Sequence, residues 1–323
     1  MAVKTIGVLT SGGDAPGMNA AIRAVVRSAL NQGSKVLGIK RGYSGLLKGE
    51  IEQLNSKSVS GIIQRGGTIL FTARCKEFFH TDGILQAVKK AKELGIDGLI
   101  VIGGNGSFIG AEKLSQNGLP TIGIPSTIDN DIACTDSTIG FDTACNIAVE
   151  AIDRLRDTAQ SHEKCSIVEV MGRKAGFLAL NIGLAAGASD ILIPEKQVNI
   201  QKEVCENILL RQSLGETHHI IIVAEGYFSN CHEIAKLIEE KTGIECRITV
   251  LEHIQRGGAP TATDRIYATK MADKAVDLLL EGIGNKVVAI QREEIITLNI
   301  QEALSMKKQI NFQQLELCRK LSK

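Results

Sequence analysis

Leu99-Ile100-Val101-Ile102-Gly103-Gly104-Asn105-Gly106-Ser107 is a short apolar run that breaks into a glycine-rich turn, with a helical pattern beginning at Phe108. The run reads as a buried strand. Strand, glycine turn and helix N-terminus together aim backbone N–H groups and the positive end of a helix dipole at an anion, so the segment reads as a phosphate site. Downstream, a second apolar run, Thr121-Ile122-Gly123-Ile124, leads into Pro125-Ser126-Thr127-Ile128-Asp129-Asn130-Asp131 and delivers two carboxylates to one loop. A nucleotide site beside a carboxylate loop points to phosphoryl transfer. Upstream, Thr10-Ser11-Gly12-Gly13-Asp14-Ala15-Pro16-Gly17-Met18-Asn19 forms another glycine turn. Gly12 and Gly17 have the spacing of a P-loop, but Met18-Asn19 stands where Lys-Ser/Thr is required, and G-x-G-x-x-G is not matched either. Gly66-Gly67-Thr68, with Arg74 just beyond, adds a third glycine-rich element.

Short β-rich runs alternate with helical patterns along the chain. Strands are expected at residues 5–9, 35–40, 99–102 and 121–124, with helices at 19–30 and 108–115, and a helix from Phe141 to about Arg156. The pattern then restarts with strands at 166–170, 190–193, 219–224 and 247–251. This alternation implies parallel strands joined by right-handed crossovers. The fold class expected is α/β, with two doubly wound domains of mostly parallel sheet and the active site in the cleft between them. The boundary falls near 140, with a nucleotide-binding domain expected over residues 1–140 plus 255–304 and a second domain over residues 141–254 plus 305–323.

Bulk properties exclude other classes. A formal net charge of +1 predicts no attraction to nucleic acid or anionic membrane. Aromatic residues make up 3% with no Trp, which leaves no base-stacking platform. The eight cysteines are scattered without a Cys-x-x-Cys pair and read as small buried hydrophobes in a reducing cytosol. No signal peptide opens the chain and no apolar run approaches about 18 residues, so a cytoplasmic protein is expected.

Several motifs in order resemble those of the bacterial 6-phosphofructokinases: Gly7 to Asn19, Gly66-Gly67-Thr68 to Arg74, Thr127 to Asp131, Glu169-Val170-Met171-Gly172-Arg173, and His253-Ile254-Gln255-Arg256-Gly257-Gly258. The resemblance covers essentially the whole chain. It implies a homotetramer, with substrate and effector sites shared between subunits, that transfers the γ-phosphoryl of ATP, with Mg²⁺, to the C1 hydroxyl of fructose 6-phosphate. It makes Asp129 the base that accepts the proton of the attacking hydroxyl, with Thr127 and Arg173 beside the reacting groups. Arg74 and Gly13, with Gly12, would bridge the transferring phosphoryl. Cys75, Gly104, Asn105, Gly106 and Ser107 would line the nucleotide, and Asn105 and Asp131 would form the metal shell. Lys164, Arg247, His253 and Arg256 would ring the sugar phosphate, while Ile128, Met171, Gly172, Glu225, Ile254 and Gln255 would complete that site.

Donor choice rests on two positions. Pyrophosphate-using relatives carry a bulky acid where Gly106 stands and a lysine where Ser126 stands, so ATP is expected here. The chain also departs from the family pattern. Asn105 replaces an aspartate, Lys164 an arginine, and Glu252 a glycine. Those departures raise the alternative of a catalytically weak homologue acting as a regulatory or structural subunit. At the effector site Arg23, Arg27, Arg156 and Gly187 are retained, but Ser56 replaces an arginine, Ser189 a glutamate, and Leu214-Gly215-Glu216-Thr217-His218 a lysine-rich loop. A weak or retuned effector response is expected.

Overall fold

The computed structural model describes residues 3–321. In chain order the first part comprises β1 (Thr5–Ser11), α1 (Met18–Asn31), β2 (Lys35–Ile39), α2 (Gly42–Lys48), β3 (Ile51–Leu54), α3 (Thr81–Glu93), β4 (Gly98–Gly103), α4 (Asn105–Gln116) and β5 (Thr121–Pro125). There follow α5 (Phe141–His162), β6 (Cys165–Val170), α6 (Phe177–Ala185), β7 (Asp190–Leu192), α7 (Glu206–Ser213), β8 (His219–Ala224), α8 (Cys231–Thr242) and β9 (Cys246–Val250). The chain ends with α9 (Ala262–Leu280), β10 (Lys286–Gln291), β11 (Glu294–Asn299), α10 (Ile300–Ser305) and α11 (Phe312–Leu321).

The chain divides into two compact units. The first runs to Ile128 and adds Ile132–Thr143 and Arg256–Lys308; the second holds Asp129–Asp131, Ala144–Gln255 and the chain from Gln309 on. The division falls at Thr143, Gln255 and Lys308 and assigns the Asp129 turn to the second unit.

The first unit is built on a seven-stranded sheet of order β11-β10-β5-β4-β1-β2-β3. Its central strands are parallel, while β3 and β11 run antiparallel at the two edges. Every residue of β4 is buried, as a strand covered by helices on both faces must be. The chain moves outward from β1 to β2 and then returns to the other side of β1 as β4, so the order reverses between β1 and β4. Ser11 and Gly103 end these two strands in register. This is the switch point, where the crevice of an open α/β sheet takes its ligand. Leu9, Ile39, Leu99, Val101, Phe108 and Val287 are among the residues of the core.

The second unit holds a parallel four-stranded sheet of order β7-β8-β6-β9. Cys165, Ile167, Ile221, Val223 and Cys246 pack with Ile208, Ile234 and Ile238 from its helices. The eight cysteines are thiols, and six of them are buried.

Two sequence-based expectations change. The helix after β4 begins at Asn105 rather than Phe108, so Asn105, Gly106 and Ser107 form its first turn. Strands β3, β10 and β11 add to those expected; β3 and β11 are half-exposed edge strands, where the apolar requirement on each face relaxes, whereas β10 is interior with Val287 to Ile290 buried.

Candidate active site

In the first unit two turns leave the switch point. Gly103 is required for packing, because a Cβ there would lie 2.4 Å from Ser11 O and 2.6 Å from Ser107 Oγ. Gly104 and Gly106 are different. A Cβ on either meets nothing within 4 Å and neither has a positive φ, so the fold itself does not demand glycine at these positions. Both positions open onto free space at the N-terminus of α4. At the first glycine turn, Gly12 has φ 91°. A Cβ on Gly13 would sit 2.7 Å from Arg256 Nη1, and that guanidinium donates to Asp14 O at 3.0 Å. Arg256, expected at the sugar phosphate, therefore lies against the turn whose N–H groups are expected to face the transferring phosphoryl.

The loop carrying Arg74 is tied to the same turn. Asn19, buried in the first turn of α1, donates from Nδ2 to Arg65 O and Gly66 O and accepts from Ile69 N–H at 2.8 Å. Thr10 Oγ1 donates to Phe71 O, and Thr72 Oγ1 to Gly12 O. Arg74 itself is exposed. Cys75 Sγ donates to Glu77 at 3.3 Å, and partial burial pushes the thiol up. Sequence reasoning missed Asn19 as a loop anchor and missed Tyr43 entirely. Tyr43 donates to Ser107 O at 2.5 Å and stacks on Phe78 with ring centroids 4.1 Å apart, buttressing the first turn of α4.

Thr127 and Ile128 close the first unit's share of the carboxylate loop. Thr127 is half-buried, and its N–H donates to Ile139 O at 3.1 Å. Ile128 is fully buried, so its contribution to a sugar site is limited to its backbone.

In the second unit, Asp129 lies in a turn yet is only 2% exposed. A buried carboxylate needs compensation. Arg173, with its Nε 3.4 Å from Asp129 Oδ2 and its side chain 66% exposed, supplies a cation from the solvent side. Asn130 beside it adopts φ 50°, a conformation Asn tolerates. Arg173 has φ 54° as well, and Gly172 has φ 134°. Glu225 stabilises this turn, since its Oε1 accepts from Gly172 N–H at 3.1 Å and from Arg173 N–H at 2.6 Å. Its expected role as a sugar-hydroxyl acceptor is therefore joined by a backbone-shaping one. Gln255 also has a structural use. Its side chain is 0% exposed and its Oε1 accepts from Met171 N–H at 2.8 Å, so it backs the Met171 turn, while its Nε2 has no hydrogen-bond partner among the described residues and stays open to its expected role.

Lys164 and Arg247 share one carboxylate: Lys164 Nζ lies 3.0 Å from Glu245, and Arg247 pairs with the same residue. The Lys164 bond, with both cations nearby, holds the Glu245 carboxyl below the usual range. His253 and Ile254 are exposed, as is Glu252, whose carboxylate faces solvent with φ 41°. Among the described residues no group of three His, Cys, Asp or Glu side chains could hold a metal ion. Asn105 in the first unit carries an amide and Asp131 in the second a carboxylate, each a kind of oxygen donor that magnesium accepts beside phosphates and waters.

Of the expected effector residues, Arg23, Arg27 and Ser56 line a hollow of about 720 Å³ in the first unit, joined there by Lys270 and Asp273. In the second unit Arg156 donates to Ala186 O and, at 3.5 Å, to Gly187 O. Ser189 is buried and accepts from Ile220 N–H, which gives it a structural use.

The first unit thus has the glycine turns of an α/β phosphate-binding fold at its switch point, and the second a buried carboxylate paired with an arginine. The family model for phosphofructokinase matches residues 5–279, and the chain belongs to that family. It is 55% identical over 321 residues to the ATP-dependent 6-phosphofructokinase of Clostridium botulinum (strain Loch Maree / Type A3), covering 99% of this chain and 100% of that protein. Among solved structures it is similar to phosphofructokinase from Saccharomyces cerevisiae, with TM-score 0.88 and 36% identity over 93% of this chain and 45% of that one. It also resembles the pyrophosphate-dependent phosphofructokinase from Marinobacter aquaeolei, with TM-score 0.85 and 25% identity over 96% of this chain and 86% of that one.

Proposed function

We propose that this chain is an ATP-dependent 6-phosphofructokinase, transferring the γ-phosphoryl of ATP to the C1 hydroxyl of fructose 6-phosphate in glycolysis. The observation that carries the choice of donor is the open space at Gly104 and Gly106. Both donor types occur on this fold, and a pyrophosphate user would fill the position of Gly106 with a side chain. The full-length identity to the botulinum enzyme supports the same reading. No observation favours a regulatory subunit without activity.

In this reading Asp129 orients the sugar hydroxyl and accepts its proton. The N–H groups of the Gly12-Gly13 turn and the Arg74 guanidinium stabilise charge on the transferring phosphoryl, and the first turn of α4 holds the remaining phosphates. Arg173 has two uses: before substrate arrives it compensates buried Asp129, and as a cation beside the reacting oxygens it steadies developing charge. Lys164, Arg247 and His253 recognise the sugar phosphate by charge. Asn105 and Asp131 would hold Mg²⁺ on the nucleotide, where it neutralises phosphate charge.

We further assign the protein to the cytoplasm and to a homotetramer; no helix among the described residues is long and apolar enough to cross a membrane. The deciding assay supplies purified protein with fructose 6-phosphate, Mg²⁺ and either ATP or pyrophosphate. Fructose 1,6-bisphosphate formed with ATP at least tenfold faster than with pyrophosphate is expected. The reverse ratio, or no product with either donor, overturns the assignment.

A further inference from the structure

Asp264 is a carboxylate with 0% exposure that no part of the mechanism above uses. It occupies the third position of α9, behind the capping residue Thr261. A capping acid at that position ordinarily turns back to the N–H of its own cap residue. Here it reaches across to the start of α5 instead. Oδ1 accepts from Gly140 N–H at 2.8 Å, and Oδ2 accepts from Thr143 N–H at 2.9 Å and from Thr143 Oγ1 at 2.5 Å. The exchange is reciprocal, since Thr261 N–H donates to Thr143 Oγ1 at 3.0 Å and Thr261 Oγ1 donates to Asp142 at 2.6 Å.

The residues that Asp264 grips lead straight to the chemistry. Ile139, next to Gly140, pairs with the carboxylate loop: its N–H donates to Pro125 O and its carbonyl accepts from Thr127 N–H, both at 3.1 Å. Thr138 Oγ1 donates to Thr127 O at 2.6 Å. On the other side the same segment abuts the first glycine turn. A Cβ on Gly17 would lie 2.6 Å from Ile139 Cγ2 and 3.6 Å from Asp264 Cβ, and one on Gly140 would lie 2.6 Å from Ala15 Cβ. Two positive-φ glycines, Gly17 and Gly140, make this approach possible.

We propose that Asp264 is a positioning residue for phosphoryl transfer, fixing the distance between the Gly12-Gly17 turn and the Thr127 loop through its three hydrogen bonds to Gly140 and Thr143. The inference rests on the function proposed above. In that reaction the glycine turn faces the moving phosphoryl, and the Thr127 loop runs directly into Asp129. In-line transfer is sensitive to separations of the order of 1 Å, where misplacement costs about 10²-fold. Ground-state binding of each substrate is less sensitive, because each contacts its own segment.

The test compares Asp264→Asn, Thr143→Val and Thr143→Ser with wild type, checking each for a native circular dichroism spectrum and a single melting transition. Asp264→Asn turns an amide N–H₂ towards backbone donors, so a kcat lower by about 30-fold or more is expected, with KM for ATP and for fructose 6-phosphate within threefold. Thr143→Val should lower kcat about five- to tenfold with the same unchanged KM values, and Thr143→Ser, which keeps the hydroxyl, should stay within twofold. A folded Asp264→Asn with kcat within threefold of wild type overturns the proposal, as does a loss expressed only in KM. If Asp264→Asn does not fold, Thr143→Val decides by the same split, and collapse of both makes the contact one of folding alone and overturns the positioning role. A wild type without kinase activity would instead sink the proposed function.

Discussion

Asp129 combines burial with an exposed cation, Arg173, as an ionic partner across 3.4 Å. Neutralising it removes a proton acceptor and leaves Arg173 nearly where solvent already held it. Asp129→Asn should therefore lower kcat by about 10²-fold or more at a melting temperature changed by only a few degrees, as steady-state kinetics and calorimetry would record. Retention of more than a tenth of kcat would remove Asp129 from the role of base. Asn105 is the departure nearest the nucleotide, half-buried at the first position of α4. An amide oxygen can ligate magnesium but brings no charge. Asn105→Asp should raise kcat, or lower the magnesium concentration for half-maximal rate, by several-fold. An unchanged magnesium titration would mean that Asp131 and the ATP phosphates already suffice.

At the scale of elements, the register of β6 on β9 pairs Cys165 with Cys246 and so sets Lys164 beside Glu245, with Arg247 on its other flank. Two cations that the proposed function assigns to the sugar phosphate are thus held by one carboxylate. An incoming dianion has to replace that carboxylate, so Glu245→Gln should lower the half-saturating fructose 6-phosphate concentration about two- to fivefold with kcat unchanged, and the gain should shrink at high salt. A rise in that concentration would show that Glu245 aligns the two cations more than it competes for them. On β8, His219 is buried, and neither ring nitrogen has a hydrogen-bond partner among the described residues. Burial, aided by the Arg211 guanidinium, pushes its pKa down to about 4. The folded state therefore binds fewer protons than the unfolded one between about pH 4 and the ordinary histidine value near 6.5, and stability is lost as pH falls through that window. On β7, burial pushes Asp190 up to about 6, with Asn207 Nδ2 donating to it. It acts in the opposite sense, favouring the fold as pH falls below 6 towards 4. The two slopes oppose each other in the wild type. Replacing His219 with Leu should unmask the Asp190 term, so that the variant gains on wild type by up to about 1.4 kcal/mol per pH unit between pH 6 and 4.5 in urea titrations. A difference that is flat over that range would remove His219 from the acid response.

At the scale of the whole molecule, what was legible in the sequence is what local physics dictates. Buried parallel strands announce themselves as aliphatic runs, and phosphate turns as glycines between strand and helix. The edge strands β3 and β11 were not legible, because half-exposed strands lose that signature, and Asp264 was not, because its partners Gly140 and Thr143 lie over 120 positions away in the chain. The same limit applies to charge. From sequence, Glu216 reads as a repulsive group in a regulatory loop, yet its carboxylate is bound by Arg211, with Nε at 2.6 Å, so its charge is largely spent within the second unit. In the first unit the hollow lined by Arg23 and Arg27 also gains Lys270, a cation the sequence pattern did not single out, although Asp273 offsets one charge. Ser56 presents no charge there, and Ser189 is committed to Ile220. In the proposed tetramer a phosphorylated effector would thus keep only part of its contacts, with Ser56 and Ser189 standing where charged groups are expected. An effector shifts an equilibrium only by its difference in affinity between the states. Millimolar ADP or phosphoenolpyruvate should consequently move the half-saturating fructose 6-phosphate concentration less than about threefold, below about 0.7 kcal/mol of coupling. Ser56→Arg should increase that shift by restoring a contact in the hollow, measured in initial-rate curves at fixed ATP. A steep sigmoidal wild-type response relieved by ADP would show that Arg23, Arg27 and Lys270 carry the coupling without the replaced groups.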